Sequence, residues 1–328
     1  MPRDYPAMTS PARPLIVRLR NWVGDVTLGL PTLQRLADAG FTLQLVAKGW
    51  ARDLLAGHGW PVHVLAPTLR GRVAQLRALR QQALRVDPGF DARLNAVAFP
   101  FSLSSALEMR LAGLRAIGHA HEGRGFLLAK SVRRPTPGLG GRHELEVYWH
   151  LGSALLGADA SLPAQISLKC LPEQHAQAAS LLAGHGINDG FIVICPFAGG
   201  TFSGQDKTWP DFAAFVAKDL AHLGRAIVVC PGPGEAEVAA RDFGTATLMS
   251  DVSLGRYAAL LSRAALMISN DTGPGHIAAA VGAPLLSVLG PSDPLQWRAW
   301  GPSVRIVQGE QGWPGRAEVL AAAKSMLG

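Results

Sequence analysis

"SNDTGPGHIAAAVGAP" (residues 269–284) continues the apolar run "LMIS" (266–269) and opens into an alanine-rich stretch of helical period. Asp271 and Thr272 stand where a helix is capped, and Pro274 takes the first helical position, where its missing N–H costs nothing. Such a turn leaves the amides of Thr272 to His276 free at the positive end of the helix dipole, which attracts an anion. Gly273 and Gly275 have no side chain to keep that anion away, and His276 in the first turn could add a donor. Asp271 is awkward beside a phosphate and better suited to sugar hydroxyls. On these residues alone, ordinary capping by Asp271 and Thr272, with His276 bonded to a nearby carbonyl, remains an equal reading.

Short apolar runs continue outward on both sides. After the midpoint, strands are expected at 191–197, 226–232, 246–250, 266–271, 284–290 and 304–309, with helices near 210–223, 235–243, 254–263 and 274–281 and a terminal helix within 313–327. Before it, strands at 15–20, 42–47, 62–67 and 93–99 alternate with helices at 25–39, 72–86 and 104–113, followed by a helix at 143–156. Runs of Val, Ile and Leu that do not alternate with polar residues suit strands covered on both faces. Two βαβα series in succession predict an α/β chain of two doubly wound, Rossmann-like domains, residues 15–165 and 166–328, facing across a cleft. The seam is expected near 158–172. Ligands bind beyond the carboxyl ends of such strands, so the cleft is the expected site.

The 328 residues carry a formal charge of +7, unevenly distributed. Residues 1–165 hold 20 Lys and Arg against 11 Asp and Glu, and the remainder hold 11 against 13. A basic first half favours an anionic partner, and aromatic content of 7% with three Tyr argues against base-stacking on nucleic acid. Cys170, Cys195 and Cys230 lack metal-ligand spacing and suit a reducing cytoplasm. Neither an apolar leader nor a run of 18 apolar residues is found, so secretion and membrane spanning are not expected.

Three further strand-to-helix turns could carry chemistry. In "CPFAGGTFSGQDKTWP" (195–210), Thr201, Ser203 and the loop amides could line a phosphate pocket that Lys207 neutralises, although the P-loop pattern is absent. In "VVCPGPGEAEVAARDF" (228–243), Glu235 could hold ribose hydroxyls or simply complement a helix dipole; the glycine fingerprint of a dinucleotide site is incomplete. In "LIVRLRNWVGDVTLGLPTLQRL" (15–36), Asp25 falls where the first strand hands over to its helix, and a carboxylate there could act as general base or as a plain cap.

Taken together these stretches resemble the heptosyltransferases of lipopolysaccharide synthesis, the family-9 glycosyltransferases of GT-B fold. "VRLRNWVGD" with "LPTLQRL" is similar to the family's opening, "FSLSSALEMRLAGLRAIGH" with "RGFLLAKSV" to its acceptor-domain signature, "DKTWP" to its Lys-x-Trp-Pro motif, and 269–297 to its sugar-nucleotide turn. The resemblance implies metal-independent, inverting transfer of heptose from ADP-heptose to the lipopolysaccharide inner core, with no cofactor, by an enzyme peripheral to the cytoplasmic face of the inner membrane. By the same resemblance Asp25 is the base and Lys207, with Ser203, meets the diphosphate or sugar, beside Thr201 of the same loop. Asp271, Thr272, Gly273 and His276 bind the donor, Glu235 holds the ribose, and Val252 lies against the adenine. Arg18, Arg20, Arg110, Arg124, Arg133 and Arg134 are candidate contacts for an anionic lipid-linked glycan. A GT-B transferase for another nucleotide sugar, a non-catalytic sugar-nucleotide-binding protein and an NAD-dependent oxidoreductase are the alternatives.

Overall fold

The computed structural model describes residues 12–135, 143–199, 201–202, 204–310 and 312–328. The first unit winds β1 (Arg13–Arg18), α1 (Val23–Asp38), β2 (Phe41–Ala47), α2 (Trp50–Leu54), β3 (Val62–Val64), α3 (Leu69–Val86), β4 (Ala96–Ala98), α4 (Leu103–Leu111), β5 (Ala116–Ala120), β6 (Lys130–Arg133) and α5 (Glu144–Leu156). Its six strands are parallel in the order β3-β2-β1-β4-β5-β6. Leu15, Ile16 and Val17 are fully buried, as an unbroken apolar strand between two helical layers must be.

The second unit runs α6 (Pro172–Gly184), β7 (Ile192–Cys195), the ribbon β8 (Thr201–Phe202) with β9 (Gln205–Asp206), α7 (Phe212–Lys218), β10 (Ile227–Val229), α8 (Ala236–Asp242), β11 (Thr247–Leu248), α9 (Leu254–Leu261), β12 (Leu266–Asn270), α10 (Gly273–Ala280), β13 (Leu285–Leu289), α11 (Pro294–Trp297), β14 (Val304–Gln308) and α12 (Arg316–Leu327). Its main sheet is again six parallel strands, β11-β10-β7-β12-β13-β14. The doubly wound α/β architecture expected from the sequence is thus present twice.

The strands and helices that the pattern did not mark are short or polar. β5 carries buried His119, β6 is an edge strand with exposed Lys130 and Ser131, and the helices α2 and α6 have only two and three buried residues. The helix at 273–280 begins one residue before Pro274, with Thr272 as its cap, so the proline takes the second position.

In each sheet the chain reverses its winding between two central strands: β1 and β4 in the first, β7 and β12 in the second. A crevice opens beyond the carboxyl ends of such a pair. The residues after β1, β7 and β12 are three of the four turns that the sequence singled out; the fourth follows β10. Residues 157–171 connect the units without helix or strand, and Leu168 N–H donates to Ala280 O (2.9 Å) on α10. The largest apolar core is continuous through both units, from Leu15 and Leu33 to Met267 and Ile277. The two units meet where α1 packs on α10. A Cβ on Gly273 would lie 2.8 Å from Val23 Cβ, so only glycine fits there.

Candidate active site

A cleft of about 460 Å³ lies between the units. The first unit contributes Arg20, Trp22, Gly24 and Asp25, and the second contributes Gly199, Thr201, Lys207, Asp271, Thr272, Gly273, His276 and Trp297. Residues 246 positions apart in sequence, Asp25 and Asp271, therefore line one space.

Asp25 sits in the first turn of α1, its side chain 10% exposed. Its Oδ1 accepts from the Tyr148 hydroxyl (2.7 Å) and pairs with Arg20 Nη1 (3.1 Å). Tyr148 and Glu144 stand one turn apart on α5, a helix that packs on α1, and both are buried. Arg20 Nη1 also reaches Glu144 Oε1 (3.0 Å) and Tyr148 Oη (3.2 Å), while Arg134 Nη2 holds Glu144 Oε2 (2.8 Å). Both guanidiniums lie over the Phe101 ring, 4.8 and 4.5 Å from its centroid. Burial is the largest influence on the Glu144 carboxyl and pushes it up; the two arginines oppose that shift. Burial and the Asp25 charge raise the Tyr148 phenol well above its usual value, so it is a neutral donor.

On the opposite wall Lys207 Nζ donates to the Asp271 carbonyl (2.9 Å) and lies 3.4 Å from Asp271 Oδ2, which also accepts from Ser292 Oγ (2.7 Å). Buried Asn270 at the end of β12 fixes this wall: its Oδ1 accepts from Trp209 N–H (3.1 Å) and its Nδ2 donates to Pro196 O (2.6 Å). Trp209, 1% exposed, anchors the Lys-Thr-Trp-Pro stretch by donating its indole N–H to Pro314 O (3.1 Å). His276 is 7% exposed, and its Nδ1 is buried without a hydrogen-bond partner. Burial lowers its basicity; the Asp271 and Asp25 charges pull the other way, and Lys207 lowers it further. A neutral imidazole with a free polar edge therefore stands between the carboxylate of one unit and the cation of the other.

The remaining candidates fall elsewhere. Ser203 lies outside the described residues. Glu235 folds back on its own turn, its Oε2 accepting from Gly232 N–H (2.7 Å), and Val252 is half-buried against the core. Arg18 and Arg124 correct the expectation of acceptor-facing arginines, because both are buried structural groups. Arg18 (4% exposed) pairs with Glu108 (3.4 Å). Arg124 (0%) donates to His119 O (3.0 Å), Pro100 O (2.5 Å), Ser102 O (3.1 Å) and Ser105 Oγ (3.1 Å). Arg110 and Arg133 are exposed, and Arg133 and Arg134 edge a second hollow of about 430 Å³ beside Trp149 and His150. Arg20 alone of the arginines named from the sequence lines the cleft. Tyr148, Glu144, Asn270 and Ser292 were not marked by the sequence. The spacing of Glu144 and Tyr148, four apart on α5, is a signal that could have found those two.

Among the described residues, no group of three or more His, Cys, Asp or Glu is placed to hold a metal ion, and no helix is long and apolar enough to cross a membrane. Cys170, Cys195 and Cys230 are free.

The lipopolysaccharide heptosyltransferase 3 of Escherichia coli is 31% identical over 154 residues, a stretch covering 44% of this chain and 44% of that protein. The chain thus spans less than half the length of that curated relative. Among solved structures, the E. coli ADP-heptose lipopolysaccharide heptosyltransferase II superposes with a TM-score of 0.77 at 21% identity, covering 96% of this chain and 98% of that one. A family-9 glycosyltransferase from Veillonella parvula superposes at 0.81 with 18% identity, covering 96% and 97%. At these identities the superpositions speak for the fold. The sequence profile of glycosyltransferase family 9 (heptosyltransferase) matches residues 79–319, nearly three-quarters of the chain, which therefore belongs to that family.

Proposed function

We propose that this protein transfers heptose from ADP-heptose to an anionic, lipid-linked glycan of the lipopolysaccharide inner core, by an inverting displacement that needs no metal. The observation that carries the reading is the shared cleft, with Asp25 on one wall and Lys207, Asp271 and His276 on the other. Residues 166–328 take the donor: the Thr272 to His276 amides, the dipole of α10 and Lys207 receive the diphosphate, and Asp271 meets the sugar. Residues 15–165 take the acceptor, to which the basic first half is complementary. Asp25 removes the proton of the attacking hydroxyl as its oxygen bonds to the anomeric carbon. The bond from that carbon to the diphosphate oxygen breaks on the opposite face, and its electron pair leaves with the ADP.

The choice of donor follows the family and an E. coli heptosyltransferase solved with ADP and with ADP-2-deoxy-2-fluoro heptose. An acceptor of this kind sets the protein to work at the cytoplasmic face of the inner membrane as a peripheral enzyme. The test is a panel of nucleotide sugars without acceptor. ADP and ADP-heptose are expected to raise the melting temperature and UDP-sugars are not; the reverse pattern overturns the donor. With donor and acceptor present, Asp25→Asn is expected to keep donor binding and lose about a hundredfold or more in transfer. An undiminished rate removes Asp25 from its role, and a wild-type protein that binds donor without transferring would be a sugar-nucleotide-binding protein.

A further inference from the structure

The polar group on the first wall is larger than the capping of one helix requires. Two carboxylates, Asp25 and Glu144, share one guanidinium, and the second carboxylate is fully enclosed. Confining like charges so closely in a buried place is costly unless their geometry is used. Arg20 is fixed by Glu144 Oε1 (3.0 Å) and by the Phe101 face (4.8 Å), and Arg134 holds the other Glu144 oxygen (2.8 Å). Its Nη1–H points to Tyr148 Oη (3.2 Å). With that oxygen accepting from Arg20, the phenolic proton is directed to Asp25 Oδ1 at 2.7 Å. Oδ1 thus accepts the Tyr148 O–H and lies 3.1 Å from the Arg20 Nη1 cation. Among the described residues Oδ2 has no side-chain or ion-pair partner, and Asp25 lines the cleft.

We infer that Tyr148 and Arg20, braced by Glu144, are positioning residues that clamp Asp25 through Oδ1 and leave Oδ2 as the oxygen that takes the acceptor proton. The inference rests on the proposed role of Asp25 as base. In the step it serves, the acceptor O–H bond breaks, its proton moves to Oδ2, the oxygen bonds to the anomeric carbon, and the diphosphate leaves with the electrons of the broken bond. Oδ1 keeps the Tyr148 hydrogen bond and the Arg20 ion pair throughout. Tyr148 acts only through Asp25, so its removal changes the aim of the carboxylate and leaves the donor pocket alone.

The test uses Tyr148→Phe, which keeps the buried ring. With ADP-heptose and a heptose-deficient inner-core glycolipid, kcat is expected to fall between about ten- and a hundredfold, the range of a small misplacement of a reacting group. KM for donor and the melting shift given by ADP should stay within twofold. In an Asp25→Asn background the same substitution should cost nothing further, and Arg20→Lys should retain part of the activity that Arg20→Met loses. A kcat within twofold of wild type, or an equal loss in the Asp25→Asn background, overturns the inference. Crystals of Tyr148→Phe supply a readout independent of turnover. An Asp25 carboxylate rotated or split between conformers agrees with the clamp, and one that keeps its place overturns it even if the donor reading has failed.

Discussion

The His276 imidazole of the second unit packs against the Gly24 backbone of the first, so closely that a methyl group on Gly24 would lie 2.9 Å from Cδ2. One residue further along α1 is Asp25, so the ring and the carboxylate are held in register by a contact in which neither side can add an atom. Gly24→Ala is expected to push the ring aside. Overpacking costs about 1–3 kcal/mol, and replacing glycine within a helix returns up to about 1 kcal/mol. The melting temperature should therefore fall modestly while transfer drops about tenfold or more. An unchanged rate would show that the contact does not align the site.

Lys207 has no carboxylate within 3 Å, and its shortest bond is to the Asp271 carbonyl, which leaves its charge available to the cleft. Lys207→Met keeps the side-chain length and removes the charge. A charge-assisted bond to a phosphate is worth about 1.5–3 kcal/mol, so Kd for ADP should rise roughly ten- to a hundredfold with little change in melting temperature without ligand. Calorimetric titration with ADP reads this directly, and an unaltered Kd removes Lys207 from the diphosphate.

Arg124 separates structural from acceptor-facing arginines. Its guanidinium satisfies the buried His119 carbonyl, the half-buried carbonyls of Pro100 and Ser102 and the Ser105 hydroxyl, tying β5, the 124–127 turn and the start of α4 together. Arg124→Met should destabilise the protein by about 1–3 kcal/mol, the cost of leaving the buried His119 carbonyl unpaired. Arg110→Met, on an exposed helix face, should leave stability within about 0.5 kcal/mol. Urea unfolding compares the two, and equal midpoints would contradict the assignment.

Two buried histidines make stability depend on pH. Burial pushes both His119 and His143 down to about 4, against the pull of the carbonyls of Val147 and Arg298. In the unfolded chain each titrates near 6.5. Between about 6.5 and 4 the unfolded state binds the extra proton, so stability falls as pH falls through that window and is flat above it. The loss between pH 7 and pH 5 should be on the order of 1–2 kcal/mol for each histidine. Glu108 and Glu144, raised by burial, act in the opposite sense, so the comparison is between wild type and His119→Phe. The variant should show the shallower decline in urea midpoint, and parallel declines would count against it.

The sequence by itself determined the two doubly wound sheets, because an uninterrupted run such as "LIV" at 15–17 or "IVI" at 192–194 is stable only as a strand covered on both faces. It also marked the turns after β1, β7 and β12, where Gly24, Thr201 and Gly273 open backbone at strand ends. Those are local properties, written in neighbouring residues. β6, an edge strand with three of its four residues polar, leaves too weak a pattern to read. Which long-range partners a polar side chain finds is decided only by tertiary packing. Arg18, Arg20 and Arg124 look alike in sequence, yet Glu108 lies 90 residues from the first, Glu144 lies 124 from the second, and the third meets three acceptors around the turn from β4 to α4 and one on β5. Burial then sorts them: a guanidinium enclosed with its acceptors braces the fold, and the one left at the carboxyl edge of β1 faces the cleft.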